Sequence, residues 1–258
     1  MKKIGIVGGV AWRSTVEYYA DICRRAEEMH LAQRRPGPPA SPEMVIESLD
    51  LNAAFAAIGN DEDESSWSRF DEYHRAALLR LERSGAEMAL IASNTPHHRF
   101  REITRGVRIP VVSILAATAA EAARLRVPRL LILGTALTMR SPRFRREFAK
   151  HGIEAAGPSE ESARATILEL IAGLQRGDAE EAAERLTAVA RNAFTGQFRG
   201  SPAVCLACTE LPLAFPEFRT QPSFVYGGIT WINTSAAHIA AVVEMAFAED
   251  SGSGAPAA

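Results

Sequence analysis

Short, unbroken apolar runs alternate with helical segments along this chain, and that alternation constrains the fold more than any other feature. "KKIGIVGG", "MVIESLDL", "MALIAS", "IPVVSIL", "RLLILG" and "AVCLAC" are apolar through their centres rather than at every second position. Runs of that kind mark strands covered on both faces. Helix signals fall between them. Ser14 and Glu17 have the spacing of a capping box, and Val16, Tyr19, Ala20 and Cys23 follow at helical period. Further helices are expected over about 69–84, stopped by Gly85, then over 96–106, 116–126, 142–152 and the alanine-rich stretch 160–194. A strand at "FVYG" and a helix over 233–247 close the series. "AQRRPGPPASPE" reads as a loop, "GNDEDESSWS" as a solvated acidic insert and "DSGSGAPAA" as a disordered tail. Strands alternating with helices predict an α/β fold, parallel sheets flanked by helices.

The pattern also runs twice. "KKIGIVGG" and "PRLLILGT" each set a strand before a glycine turn. "ALIASNTPHH", from Ala89, and "AVCLACTELP", from Ala203, share a second outline: apolar strand, alanine, nucleophile, polar helix start. Ser93 stands in one copy where Cys208 stands in the other. Two pseudo-symmetric lobes follow, each with a parallel sheet. Ligands bind such sheets at the carboxyl ends of strands, so Ser93 and Cys208 are expected to face one interlobe cleft.

Charge and composition exclude several partners. A formal net charge of -2 gives no general attraction for nucleic acid or an anionic membrane. No apolar run approaches the roughly 18 residues of a membrane helix. The N-terminal run breaks at Gly8-Gly9, so it reads as a strand rather than a signal peptide. Three cysteines without framework spacing fit a reducing, cytoplasmic setting.

The motifs carry the chemistry. With Thr209 as a helix N-cap, Cys208 would sit in a positive dipole field that favours thiolate; the plain alternative is a small core cysteine. Cys205 reads as core, and Cys205-x-x-Cys208 has no second pair to make a metal site. In "SNTP", Thr95 as N-cap and Pro96 as first helical residue leave Ser93 and Asn94 at a helix mouth, where free N–H groups favour an anion. His97 and His98 are expected to face solvent, although His97 is a candidate assistant for Ser93. "GIVGG" is neither a dinucleotide fingerprint nor a Walker loop. Its turn at Gly9 is suited to backbone approach to a small acid.

Together "GIVGGVAWRSTVEYY", "SLDL", "SNTPH" and "ACTELP", in this order over nearly the whole chain, resemble the aspartate/glutamate racemase family. The resemblance implies an isomerase: a cofactor-independent amino-acid racemase, usually a homodimer, needing neither pyridoxal phosphate nor metal. It implies a first lobe of residues 1–115 with 208–258 and a second of 116–207. The family's two cysteines flank the substrate α-carbon and exchange its proton on opposite faces; by position these are Ser93 and Cys208. Asn94, Thr95, Thr209 and Glu210, with backbone near Gly9 and Thr135, would bind the substrate, and Arg176 would meet its side-chain acid. Aspartate or glutamate is the substrate so implied. None of the three lysines sits at a motif, which suits a reaction without pyridoxal.

Two departures matter. Serine is a far weaker acid than cysteine, so Cys208 is expected to be the main acid/base. The aspartate branch carries an arginine after the second strand, whereas "ESLDLNAAF" has none, leaving Arg176, Arg13 or Arg140 to supply charge. A single-cysteine decarboxylase or isomerase of a small dicarboxylic acid, similar to arylmalonate decarboxylase or maleate isomerase, stays open, as does a non-catalytic relative that binds a small acid.

Overall fold

A computed structural model describes residues 1–39, 41–196 and 203–248. Its first half runs β1 (Ile4–Gly8), α1 (Trp12–Ala32), β2 (Met44–Ser48), α2 (Leu51–Ala56), α3 (Ser68–Arg83), β3 (Met88–Ile91), α4 (Phe100–Ile103), β4 (Val111–Val112) and α5 (Ile114–Arg124). The second runs β5 (Arg129–Gly134), α6 (Ala136–Arg140), α7 (Pro142–Ala149), β6 (Glu154–Ala156), α8 (Glu161–Arg176), α9 (Ala182–Gly196), β7 (Ala203–Ala207), β8 (Ser223–Tyr226), β9 (Ile229–Asn233) and α10 (Thr234–Phe247). One sheet has the order β2-β1-β3-β4 and the other β6-β5-β7-β9-β8. All pairings are parallel except that of β8, which lies antiparallel on the edge of β9. Without β8 the two sheets wind identically, which is the sequence repeat in three dimensions.

The apolar runs of the inner strands β1, β3, β5 and β7 are continuous because each of these strands feeds two cores, whereas the edge strand β2 is half-exposed. Ile4 and Ile6 of β1 pack with Tyr18 and Ile22 of α1 and with Val242 and Val243 of α10, while Val7 points to the opposite core with Leu78 and Leu81 of α3. In the second sheet Leu131, Leu133 and Trp231 face α8 and α9, while Leu130, Ile132 and Ile232 face α5 and α7. Each such side chain contributes about 1.5–3 kcal/mol on burial. No helix among the described residues is long and apolar enough to cross a membrane.

Several expectations need correction. The division of 1–115 with 208–258 against 116–207 fails at its last boundary. Hydrogen bonding of β9 to β7 keeps the chain up to Asn233 with the second sheet, and only α10 returns to the first. Ser14 caps nothing: α1 begins at Trp12, and Ser14 is buried, its hydroxyl 2.6 Å from that of Thr209. The buried stripe of α1 is Ser14, Tyr18, Ile22, Ala26 and His30, so Trp12, Val16 and Tyr19 face outward. The acidic insert is anchored rather than free, with Trp67 buried, Asp61 bonded to His98 and Glu64 paired with Arg99. The tail expected to be disordered lies outside the described residues.

Candidate active site

The two matching motifs leave the carboxyl ends of the matching strands β3 and β7. After β3 the chain tightens at once, with the Ser93 N–H donating to Ile91 O at 2.8 Å, and a 3-10 helix runs from Thr95 to Arg99 with Pro96 in its first turn. After β7 come Cys208, Thr209 and Glu210, then a 3-10 helix over Leu211–Ala214. Between the lobes lies a cavity of about 440 Å³, a volume typical of small-molecule sites. Ser93, Asn94 and Thr95 line it from one lobe; Thr135, Cys208, Thr209 and Glu210 line it from the other.

Gly9 and Arg176 do not line it. Gly9 has φ +84°, and a side chain there would meet Leu49 O at 2.2 Å, so the position demands glycine for its turn. Its N–H is taken by Thr15 Oγ1 at 2.8 Å, and Val10 and Ala11 reach the cavity in its place. On α8 the residues facing the cavity are Leu168, Ile171 and Gln175. Arg176 comes one residue later, about 100° further around the helix, and is exposed. The other candidate cations also lie elsewhere: Arg13 stacks over Trp12 and Arg140 approaches Glu161.

The electrostatics of Cys208 differ from expectation as well. A four-residue 3-10 helix supplies little dipole, and Glu210 intervenes. The thiol donates to Glu210 Oε2 at 2.9 Å, and the Thr209 hydroxyl reaches the same oxygen at 3.1 Å. Burial first, and then the Glu210 carboxylate, push the thiol well above its ordinary pKa; backbone N–H groups of Thr209 and Glu210 oppose the shift without reversing it. The resting group is therefore a thiol, donating its hydrogen bond to Glu210. Cys205 is plain core, as its sequence position implies.

On the opposite wall, Asn94 Nδ2 donates to Thr234 Oγ1 at 3.0 Å, and Thr234 in turn donates to Leu206 O. This ties the Ser93 motif to the first turn of α10 and to β7. Asn94 Oδ1 is buried without a partner. Thr95 and Thr135 hydroxyl oxygens stand 3.5 Å apart across the cleft. His97 and His98 are both buried, not solvent-facing. His97 Nδ1 meets Ser93 O at 2.8 Å, and its Nε2 accepts from the Ile114 N–H at 3.2 Å. Both ring nitrogens are therefore used on backbone, and His97 fixes the Ser93 carbonyl rather than activating the hydroxyl. His98 is held between Ser141 and Asp61.

Sequence reasoning missed His74 and the apolar wall of the cavity: Leu51, Phe55 and Ile58 around α2, Phe70 on α3, and Leu168 and Ile171 on α8. The helical spacing of Phe70, His74, Ala77 and Leu81 carried the signal that His74 lies on a buried face. Among the described residues no cluster of three or more His, Cys, Asp or Glu could hold a metal ion.

Two like-wound lobes, each offering one nucleophile position and one short polar turn to a shared cleft, define a two-lobed α/β enzyme with a small-molecule site between the lobes. The family model described as Asp/Glu/Hydantoin racemase matches residues 7–242, and the chain belongs to that family, a family of isomerases. A crystal structure of an aspartate racemase homologue from Pyrococcus horikoshii OT3 is 27% identical, covering 95% of this chain and 99% of that one with a TM-score of 0.72. The aspartate racemase of Picrophilus torridus shares the fold at 20% identity, covering 95% and 94%, with a TM-score of 0.69. Over 135 residues the chain is also 30% identical to 3-methyl-2-oxobutanoate hydroxymethyltransferase 2 of Pseudomonas fluorescens, a match to 51% of this chain. That match spans 47% of the curated relative, about half its length.

Proposed function

We propose that the protein is a cofactor-independent amino-acid racemase that removes the α-proton of its substrate and returns it on the opposite face. Cys208 is the main acid/base and Ser93 its weaker partner. The observation that supports this most is that both positions, at equivalent strand ends of matching sheets, line one cavity. Exchange of configuration needs one proton-transfer group on each face of the α-carbon. Asn94 Oδ1, lacking a partner, would accept from the α-ammonium, and the Thr95 and Thr135 hydroxyls would donate to the α-carboxylate. The incoming ammonium offsets the Glu210 charge and so lowers the cost of forming the Cys208 thiolate. No lysine lines the cavity, which fits chemistry without pyridoxal.

Proton NMR in deuterated water, followed by chiral analysis, tests the reading. Loss of the α-proton signal together with racemisation is expected for both enantiomers of a substrate. If neither occurs with any amino acid, acidic or uncharged, the proposal falls. Ser93 then favours the second reading, in which Cys208 alone serves a decarboxylase or isomerase of a small dicarboxylic acid.

The same proposal extends to a cytoplasmic homodimer. Cys23, Cys205 and Cys208 are all free, which fits a reducing compartment. Trp12, Val16 and Tyr19 form an exposed apolar stripe on α1, a suitable contact for a second copy. Val16→Glu with Tyr19→Arg should convert a dimer to a monomer in sedimentation velocity; an unchanged sedimentation coefficient would remove α1 from the interface.

A further inference from the structure

We propose that the substrate's side chain is uncharged and of aromatic size, and that it carries a hydrogen-bond donor received by His74 Nε2. The inference rests on the racemase reading only for where the α-carbon sits, between Ser93 and Cys208.

Charge comes first. Among the described residues Glu210 is the one formally charged side chain on the cavity wall, and no described arginine or lysine lines it. A carboxylate on the substrate side chain would enter with no counter-ion and with a like charge nearby, an arrangement that burial makes costly. The acidic substrates implied by resemblance therefore do not match this wall. Away from the two nucleophile positions and their polar turns the wall is mostly apolar, with Leu51, Phe55, Ile58, Phe70, Leu168 and Ile171, and Gln175 is its uncharged polar member on α8. Phe55 is 61% exposed and Leu168 40% exposed, so part of this apolar surface stays wet until something apolar covers it.

His74 adds the specific element. It lines the cavity yet is fully buried within α3. Its Nδ1 lies 2.9 Å from Phe70 O, and a carbonyl only accepts, so Nδ1 carries the hydrogen. Nε2 is then a bare acceptor, and it has no partner. Burial lowers the ring's pKa, so the lone pair persists at neutral pH. A buried acceptor left unpaired is costly and rare. An occupant with a hydroxyl or ring N–H on its side chain satisfies it; the phenol of tyrosine has this chemistry, and phenylalanine has the same ring without the donor.

Calorimetric titration of the purified protein with tyrosine, phenylalanine, aspartate and glutamate, each as both enantiomers, tests this. Tyrosine should bind at least about tenfold tighter than phenylalanine, the worth of one satisfied hydrogen bond, and the two acids should bind most weakly. In His74→Phe the tyrosine advantage should vanish while phenylalanine still binds. The wild-type ratio stands even if that variant fails to fold. Equal binding of tyrosine and phenylalanine to the wild type would overturn the role of His74. Tighter binding of aspartate or glutamate than of either aromatic, or binding of none of the four, would overturn the whole inference. Aromatic binding without α-proton exchange would keep the inference and remove the racemase reading instead.

Discussion

Cys208→Ala should lose at least about a thousandfold of the α-proton exchange rate, whereas Ser93→Cys should gain about tenfold or more. The asymmetry follows from the two side chains. Among the described residues Cys208 is the only thiol on the cavity wall, hydrogen-bonded at 2.9 Å to the Glu210 carboxylate. Without it one face has no group able to cycle between acid and base. Ser93 has no such partner, since both nitrogens of its neighbour His97 are spent on backbone. A thiol at that position ionises far more readily than the hydroxyl it replaces. The pH profile carries the same information. Because burial and Glu210 hold the Cys208 thiol high, exchange should rise with pH through the neutral range. Glu210→Gln removes the opposing charge and should move the rise to lower pH. Unaltered exchange in Cys208→Ala, measured by loss of the α-proton signal, would refute the assignment.

The second large effect is on stability in acid. His97 and His238 are buried and neutral, with pKa values lowered by desolvation to about 3 and about 4. His238 Nδ1 lies 3.0 Å from the Tyr18 hydroxyl, and its Nε2 meets Val112 O at the same distance. Their folded values lie below the unfolded value of about 6.5. Between those limits the unfolded chain binds more protons, so stability is full above about pH 6.5 and falls as pH drops toward 4 and then 3. Each histidine contributes about 1.4 kcal/mol per pH unit over its window. Domains have only about 5–15 kcal/mol in total, so this loss takes a large share of the stability by the time the pH reaches the carboxylate range. Denaturant midpoints measured from pH 7 to 4 should show this slope. His238→Gln can accept from Tyr18 and donate to Val112 without titrating, so it should flatten the slope by about one histidine's share. A wild-type stability that stays level from pH 7 to 5 would refute the account.

Much of this was legible in the sequence, and the misses have physical causes. Unbroken apolar runs gave the two-faced strands, and the repeated strand-plus-nucleophile outline gave the paired sheets and both wall positions. Strand β9 was missed because Asn233 ends it and caps α10 at once, leaving no turn residue between them. Helix α2 is six residues long, too short for a period to register, and only the Asp50 side chain accepting from the Ala53 N–H marks it. On α1 the period of Val16 and Tyr19 marked the helix but not its buried face, which holds Ser14 and His30 while Val16 and Tyr19 face outward. Arg176 failed by a single residue of helix phase. The state of Cys208 was unreadable because it depends on how Glu210, two residues later, folds back onto the sulfur.

The return of α10 to the first sheet sets an order for the newborn chain. Strands β1 to β4 leave the ribosome early, but one face of their sheet is covered only in part, by Tyr18, Ile22 and Ala26 of α1, until Ile239, Val242, Val243 and Phe247 are made. At cellular translation rates the intervening residues 113–233 take on the order of ten seconds. For that interval the half carrying Ser93 must persist with one face of its sheet half-clad, prone to sticking, while the half carrying Cys208 is still being spelled out. The amino-terminal lobe, first to be synthesised, is thus the last to be finished.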